Sequence, residues 1–277
     1  MKWPMVSVVI PAYNAGKWIH WCLSSCIHQI LPRQPKAEPI SLYPGMEIIV
    51  ADDGSTDDTV AKIEWAVKNR AEVLEKAKGN RRIEGEGAVV VTIRMAHKGY
   101  AAAFNAALAA ARGEVIARLD ADDLISLGRT ARCVQALCGH CVEAEKGRVD
   151  IVSSEMFLVD GSGCAAGETH VGGMVEEEYV KGAKAHGPCT ATLVAWRRVY
   201  EKVGPFSTDP RWEWSPDSEW DFRALRAGVR WAHIDEPLYF YRIHPDRMTT
   251  RGGGKGHQAY LEQIQEHLKL GEKGNRA

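Results

Sequence analysis

The sequence has almost no excess of charge of either sign. Lysine and arginine number 35 and aspartate and glutamate 36, so the 277-residue chain carries a formal net charge of -1. Binding to nucleic acid or to an acidic membrane as a bulk polyanion relies on a surplus of positive charge. We therefore expect no nucleic acid polymer as a partner.

Long apolar runs are lacking as well. A membrane-spanning helix needs about 20 consecutive apolar residues, and no stretch of the sequence approaches that length. The opening residues MKWPMVSVVIPAYN enter a strand-like run too early for a signal peptide. These absences predict a cytoplasmic protein, which would meet a membrane only peripherally at the cytoplasmic face.

Paired metal-binding cysteines are also missing. Cys138 and Cys141 form one C-x-x-C around His140, but no second pair completes a zinc set. The cysteines therefore favour buried thiols in reduced surroundings. All seven are Cys22, Cys26, Cys133, Cys138, Cys141, Cys164 and Cys189.

The composition is that of a folded protein, with 45% hydrophobic and 26% charged residues. In the first half, strand-like and helix-like segments alternate. Apolar β-branched runs cover residues 6–14, 46–51, 88–95 and 114–120, and helix-like segments lie at 15–30, 57–82 and 97–113. This alternation predicts an α/β fold with a mostly parallel sheet. The proline-rich segment 31–45 predicts a loop inserted into the first crossover.

The second half is less regular. Residues 150–163 and 189–198 are predicted strands, 215–228 a capped helix, 231–244 a bent strand or strand pair, and 257–270 a terminal amphipathic helix. No internal repeat or strong linker separates the two halves. We therefore expect a single domain.

An acidic cluster stands out in IARLDADDLIS, residues 116–126, where Asp120, Asp122 and Asp123 follow a strand-like run. Side chains two apart on an extended chain point the same way, and close carboxylates repel unless a cation lies between them. Mg²⁺ or Mn²⁺ suits such oxygen ligands. The alternative is a helix start, with acids in the first turn and Ser126 as its cap. The stretch alone leaves both interpretations open.

Polar residues also follow the other strand-like runs. Pro11 and Asn14 end the first, and Asp52 and Asp53 follow the second. Ligands of open α/β sheets bind outside the carboxyl ends of the strands. We therefore expect these residues and Asp120 to lie together at the edge of the sheet formed by the carboxyl ends of the strands, which we call the rim.

Several motifs occur in a specific order. PAYN, DDGSTDDT and LDADD follow successive strands and resemble the family 2 glycosyltransferases of the GT-A fold. HKGYAAAFNAALAAARG is similar to the Gly-rich helix of that family, and VGPF, SEWDFRALRAG and YRIH are similar to its acceptor-side segments. The resemblance runs from about residue 6 to about residue 250.

The resemblance implies a Rossmann-like, mostly parallel sheet flanked by helices, with a smaller mixed acceptor-side region. Residues 1–277 would form one GT-A type domain. Its nucleotide-sugar half would cover 1–125, its acceptor-side half 126–250 and a C-terminal helical tail 251–277.

The resemblance also implies an activity: inverting transfer of a sugar from a nucleotide-diphosphate donor, expected to be a UDP-sugar, to a saccharide or other hydroxyl acceptor. The metal, Mn²⁺ or Mg²⁺, would be held by Asp122, Asp120 and His244. The implied donor-binding residues are Pro11, Tyr13, Asn14, Asp52, Asp53, Lys98, Gly99, Asn105, Asp120 and Arg247.

Simpler interpretations compete with some of these assignments. Pro11 and Tyr13 could only shape a turn, Asp52 or Asp53 could cap a helix, and His244 could be a surface turn residue. The sequence also departs from the family at Phe104, which replaces an Arg that helps to hold the nucleotide. Lys98 or Arg94 are candidates to supply that charge.

The catalytic base would be an acid at the start of the late helix. That position reads as Glu219, with Asp217 and Asp221 as close competitors, and a helix N-terminus without chemistry is the alternative. Trp212 and Trp214 would face the same side of an extended chain, either as a platform for the acceptor sugar or as plugs of the core.

Two other functions remain open from the sequence. A nucleotidyltransferase would also use a Rossmann-like sheet and acidic metal ligands, but its Gly-rich, basic loop after the first strand is reduced here to Gly16 and Lys17. A non-catalytic nucleotide-sugar binding module is the second, because Phe104 and Glu219 depart from the family pattern.

Overall fold

The structure is a computed structural model that describes residues 3–31, 40–41, 43–69, 83–84, 88–139, 149–169, 190–255, 258–259 and 262. Several predicted features fall outside these residues. They are most of the loop at 31–45, the end of the helix at 57–82, most of the terminal helix at 257–270, and Cys141 and Cys189.

Strands and helices alternate along the described chain. The strands are β1 (Val6–Ala12), β2 (Ile40–Ser41), β3 (Met46–Asp52), β4 (Ile83–Glu84), β5 (Val89–Arg94), β6 (Val115–Arg118), β7 (Leu124–Ile125), β8 (Ile151–Val159), β9 (Ala165–Thr169), β10 (Val194–Trp196) and β11 (Trp231–Arg242). The helices are α1 (Ile19–Ile27), α2 (Thr59–Lys68), α3 (Tyr100–Ala110), α4 (Arg129–Leu137), α5 (Arg197–Val203), α6 (Pro216–Arg226) and α7 (Met248–Arg251).

A single large sheet organises the fold, with strand order β5-β3-β1-β6-β10-β8-β11-β7 and β9 paired to β8. The strands β5, β3, β1 and β6 are parallel. The short β10 is antiparallel to both β6 and β8, and β11 is parallel to β8. Consequently β1, β3, β6, β8 and β11 all run in the same direction, and their carboxyl ends lie along one edge of the sheet.

Apolar side chains of the central strands point alternately to the two faces of the sheet, and each face packs against an apolar cluster. In β1, Val8 and Ile10 belong to the same apolar cluster as Leu23 of α1. Val9, between them, belongs to the cluster on the opposite face, which contains Phe104 of α3. Helices therefore cover both faces, as the α/β prediction requires.

None of the described cysteines forms a disulfide. Cys22, Cys26 and Cys133 are fully buried in the apolar cluster that contains α1. This burial confirms the interpretation of these three residues as packed thiols.

One prediction about local structure was wrong, and one of two open alternatives does not hold. Residues 189–198 were predicted as one strand, but within the described residues 190–198 only Val194–Trp196 is a strand, and α5 begins at Arg197. The Arg197 side chain donates to the Gly113 carbonyl, and this anchors the helix start. Ser126 does not cap α4 with its side chain, because the helix begins at Arg129 after a short strand, β7.

The late strand has the bent form that was one of the two predicted alternatives. β11 pairs with β8 along most of its length, with register shifts between Ile234 and Pro237 and between Pro237 and Tyr239. Proline cannot donate to a strand ladder, so an irregularity at this point is expected. Among the described residues, no helix is both long and apolar enough to cross a membrane.

Candidate active site

The loops after β1 and β3 are joined by Asn14. The backbone of Asn14 has a positive φ of 50°, and its amide oxygen accepts a hydrogen bond from the backbone of Thr56 at 2.8 Å. The Asn14 N–H donates to the Ser55 hydroxyl at 2.9 Å. These bonds fix the ends of two neighbouring strands relative to each other before any ligand binds.

The Asp53 carboxylate is buried and fully engaged. It accepts hydrogen bonds from the backbone N–H groups of Lys98 at 2.7 Å and Gly99 at 2.8 Å. The imidazole of His97 lies 2.8 Å from the same carboxylate and stacks on the Tyr13 ring at 4.2 Å. Asp53 therefore holds the start of α3, which is the capping role considered from the sequence, although for the next helix.

Asp52 offers a free acceptor at the same rim. Only 3% of the residue is exposed, and its Oδ2 atom accepts a hydrogen bond from the backbone of Ser55 at 3.3 Å. Its Oδ1 atom is buried and has no hydrogen-bond partner among the described residues. A buried carboxylate oxygen without a partner is costly, so this atom is suited to receive an N–H donor from a ligand.

Asp123 is a structural anchor. Its buried carboxylate accepts hydrogen bonds from the Tyr239 hydroxyl at 2.8 Å and the Arg242 backbone at 2.7 Å. Burial raises the pKa of this carboxyl, and the neighbouring charges of Asp122 and Asp120 raise it further. Asp123 thus ties the end of β6 to β11, a role that neither sequence interpretation included.

Asp120 lies at the base of the rim and accepts a hydrogen bond from the Tyr100 hydroxyl at 2.8 Å. Burial, followed by the charge of Asp122, raises the pKa of the Asp120 carboxyl to about 6. A cation between Asp120 and Asp122 would relieve the repulsion between these two acids.

Asp122 contacts the third predicted metal ligand directly. Its Oδ2 atom lies 2.9 Å from Nε2 of His244, whose ring packs on Trp18 with centroids 3.9 Å apart. The second ring nitrogen, Nδ1, is buried without a partner among the described residues. The fold thus brings Asp122 and His244 together. Asp120 does not form with them a set whose ligand atoms all lie within 4.8 Å of one another, and its carboxylate is held by Tyr100.

A second acidic group lies on β8 and β11. Glu155, His233 and Asp235 are, among the described residues, the one set of three metal-ligand side chains whose atoms all lie within 4.8 Å of one another. The sequence analysis did not identify this set. The imidazole of His233 lies 3.0 Å from Glu155, whereas Asp235 is highly exposed.

The three acids of α6 face different surroundings. Glu219 forms a two-pronged ion pair with Arg223, at 2.7 Å and 2.9 Å, and lines a cavity of about 260 Å³ with Trp212. Asp221 is fully buried, and burial raises the pKa of its carboxyl. Asp217 is one-third exposed and accepts a hydrogen bond from the Thr190 hydroxyl. The geometry therefore favours Asp217 over Glu219 as the acid that is available at the rim.

Asn105 is a clamp between α3 and the chain after α5. Its amide nitrogen donates to the Phe206 carbonyl at 2.8 Å, and its amide oxygen accepts from the Phe206 N–H at 2.9 Å. Both ends of the amide are engaged, so a donor contact by Asn105 stays a prediction that no described contact supports.

This clamp leads to a stability prediction. Replacing Asn105 with Ala would leave the buried backbone groups of Phe206 without partners and lower the free energy of unfolding by about 1–3 kcal/mol. Urea denaturation measures the loss. The matched control is Asn69→Ala, because the Asn69 amide only donates to Trp65 at an exposed helix end and its loss should cost under about 0.5 kcal/mol. Equal losses in the two variants would contradict the clamp.

The remaining predicted residues contribute less to the rim. Trp212 and Trp214 do not share a face, because Pro210–Trp212 forms a 3-10 turn that buries Trp212, while Trp214 packs against Gly252. The Arg247 side chain donates to the Thr250 hydroxyl at 2.7 Å.

Two cations were candidates for the charge of the family's Arg, which Phe104 replaces, and neither lies in the core. Both Lys98 and Arg94 are exposed. Phe104 is fully buried and stacks on Phe206 with ring centroids 4.2 Å apart.

Comparison with known proteins gives the family. A model described as Glycosyl transferase family 2 matches residues 7–204. The chain belongs to glycosyl transferase family 2. It is therefore a glycosyltransferase, as the ordered motifs predicted.

Two curated relatives align with most of this glycosyltransferase. The uncharacterized glycosyltransferase EpsJ of Bacillus subtilis (strain 168) is 26% identical over 278 residues, which cover 96% of this chain and 67% of the relative. The uncharacterized glycosyltransferase alr2836 of Nostoc sp. is 27% identical over 246 residues, which cover 86% and 65%. The chain thus spans about two thirds of the length of these relatives.

Solved structures confirm the GT-A fold of this family 2 member. TarS residues 1-349 of S. aureus, in complex with UDP, superpose with a TM-score of 0.60 at 18% identity, covering 95% of this chain and 65% of TarS. The mannosyltransferase PcManGT of Pyrobaculum calidifontis, in complex with GDP-Man and Mn²⁺, gives 0.56 at 19% identity, covering 97% and 63%.

Proposed function

We propose that this glycosyltransferase moves a sugar from a nucleoside-diphosphate donor to an acceptor hydroxyl and inverts the anomeric configuration. The observation that carries the proposal is the placement of Asp120, Asp122 and His244 at the same sheet edge as the unpartnered Asp52 oxygen. Nucleotide sugars bound to neighbours of the same fold, UDP-GlcNAc in TarS and GDP-Man in PcManGT, support the donor class.

Asp52 supports a preference for uracil or a related base. Uracil presents one ring N–H, and the buried Asp52 Oδ1 is an acceptor that lacks a partner among the described residues. A base without a ring N–H would leave the Asp52 Oδ1 atom buried and without a hydrogen bond, which disfavours its binding. Guanine and thymine also present a ring N–H, so the choice of uracil rests in addition on the UDP and UDP-GlcNAc bound to TarS. We propose a UDP-sugar as the donor, with the Tyr13 ring beside the base.

The rim also offers ligands for a divalent cation. The Asp120 and Asp122 carboxylates repel each other, and Nε2 of His244 lies beside Asp122; oxygen and nitrogen ligands of this kind suit Mn²⁺. The ligand atoms of these three residues do not all lie within 4.8 Å of one another, so binding would draw Asp120 towards Asp122 and His244. We propose that Asp120, Asp122 and His244 hold it. When bound, such an ion would offset the negative charge on the leaving diphosphate.

Asp217 is the proposed base. In the transfer, the acceptor hydroxyl gives its proton to the Asp217 carboxylate while its oxygen forms a bond to the anomeric carbon. The bond from that carbon to the diphosphate oxygen breaks, and the diphosphate keeps the electron pair. Attack from the side opposite the leaving group inverts the configuration. Asp217 is the α6 acid that is neither fully buried, as Asp221 is, nor paired with arginine in a two-pronged contact, as Glu219 is.

Metal binding should depend on pH through Asp120. Because the pKa of this carboxyl is raised to about 6, it holds a proton below that pH which the metal must displace. We expect the Mn²⁺ affinity to fall about tenfold per pH unit below about pH 6 and to level off above it. Titration calorimetry at several pH values measures this. Asp120→Asn should bind more weakly with a flatter pH profile, and an unchanged profile would contradict the assignment.

The direct test of the function is donor turnover. The protein is incubated with UDP-GlcNAc, UDP-Glc, dTDP-Glc and GDP-Man, with Mn²⁺ or with EDTA, and nucleotide release is followed. We expect Mn²⁺-dependent release from one or more UDP-sugars. Failure of every donor to bind or react in the presence of Mn²⁺ or Mg²⁺ would overturn the proposal.

A further inference from the structure

Arg118 is a buried arginine at the end of β6 that no sequence motif identified. Only 2% of the residue is exposed, and its guanidinium lies 4.8 Å from the ring centre of Phe206 and 5.5 Å from that of Phe104. None of its three nitrogens makes a hydrogen bond with a described residue. Burial of such a charge is costly unless nearby charges compensate it.

The compensating charges lie on α6. Nη2 of Arg118 is 4.0 Å from Oδ2 of Asp217. Asp221 is fully buried one helical turn later, with both carboxylate oxygens unbonded among the described residues. An arginine guanidinium stays protonated in proteins, so these acids face a permanent positive charge in the core.

The position of this charge links two parts of the active site. Residues four apart on a helix share a face, so Asp217 and Asp221 both turn towards Arg118. Arg118 is the last residue of the central strand β6, and Asp120 follows two residues later. The attraction between the Arg118 guanidinium and the carboxylates of Asp217 and Asp221 holds these acids at a fixed place relative to the metal-binding side of the rim.

We propose that Arg118 is a positioning residue for the Asp217 base. The inference rests on the proposed function and adds a residue to it. The buried guanidinium does not reach substrate; it orients the carboxylate that receives the acceptor proton. Its loss should therefore reduce turnover and leave donor binding unchanged.

The variants Arg118→Met and Arg118→Lys test this proposal. The donor that the wild-type protein turns over serves as the probe for nucleotide release, and calorimetry with UDP and Mn²⁺ reports binding. We expect Arg118→Met to lower turnover about tenfold to a hundredfold, as misplacement of a reacting group does, with the Kd for UDP within about twofold of the wild type. Arg118→Lys should lose less, because it retains a charge.

Arg197→Met is the matched control. Unlike Arg118, Arg197 donates two hydrogen bonds, both to the Gly113 carbonyl, and it lies at the opposite ends of the central strands. The variant makes the same change of side chain away from the rim, so its turnover per folded molecule should stay near the wild-type value. Wild-type turnover in Arg118→Met would overturn the proposal. So would a loss of UDP affinity as large as the loss of turnover, since Arg118 would then act on the donor.

A double-mutant comparison remains decisive if Arg118→Met does not fold. Arg118→Lys is combined with Asp217→Asn and compared with each single variant. Because Arg118 acts through Asp217, we expect the lysine substitution to lower turnover severalfold in the wild-type background and to have no effect in the Asp217→Asn background. Equal effects in both backgrounds would overturn the proposal. Failure of the wild-type protein to turn over any donor would instead refute the proposed function.

Discussion

Replacing Asp122 with Asn is expected to lower metal-dependent nucleotide release by about a thousandfold. A divalent ion contributes several kcal/mol to the stabilisation of charge on a leaving diphosphate, and each 1.4 kcal/mol is worth about tenfold in rate. Asp122 lies beside His244, with Oδ2 and Nε2 2.9 Å apart. The substitution removes the negative charge of a proposed metal ligand and keeps the size of the side chain. Nucleotide release with increasing Mn²⁺ measures the loss.

The control for this experiment is Asp235→Asn. Asp235 belongs to the other acidic group, with Glu155 and His233, and is highly exposed. If the metal binds at the rim, this variant should keep the rate and Mn²⁺ dependence of the wild-type protein. The reverse result, in which Asp235→Asn loses activity and Asp122→Asn keeps it, would move the metal to the second group.

Replacing Asp217 with Asn should slow transfer strongly, with measurable residual turnover, without weakening donor binding. Removal of a general base typically costs about 10²–10⁴ in rate. The Asn side chain keeps the shape of the carboxyl and can still meet Thr190, so UDP binding in the presence of Mn²⁺ should change by less than about twofold. Nucleotide release and calorimetry on the same preparation separate the two effects.

Glu219→Gln distinguishes the two acids. The Glu219 carboxylate is held by Arg223, which also donates to the Val203 and Pro205 carbonyls. The side chains of this pair are only 15% and 25% exposed, so its loss should lower the free energy of unfolding by about 1–3 kcal/mol and leave turnover near the wild-type value. Abolished turnover in Glu219→Gln, with activity retained in Asp217→Asn, would assign the base to Glu219.

The first half of the fold could be predicted because its signals are local. Runs such as VSVVIPA and MEIIVAD are mostly apolar, which is typical of strands buried on both faces, and every position in both strands is buried. Parallel strands end at the same edge of a sheet, so the polar residues that follow these runs were expected to lie together at that edge. Asn14, Asp52 and Asp120 could therefore be placed at the rim from the sequence.

The orientation of individual side chains could not be predicted in the same way. Asp217, Glu219 and Asp221 all lie in one short helix, and only the packing of α6 decides which of them faces the rim. Asn105 had a plausible ligand role until the Phe206 backbone was seen to occupy its amide. Arg118 did carry a signal, a lone cation within the apolar run EVIARLD, but the α6 acids that it faces are more than 90 positions away.

The strand order has a consequence for how the protein acquires its activity. β6, which leads to Asp120 and Asp122, is flanked by β1 and β10, and each partner is far away along the chain. Contacts between distant segments form slowly, because the entropy of closing long loops must be lost before the contacts stabilise anything. During refolding from denaturant, helical circular dichroism should therefore recover before the ability to bind UDP with Mn²⁺, since the binding rim is among the last parts to assemble.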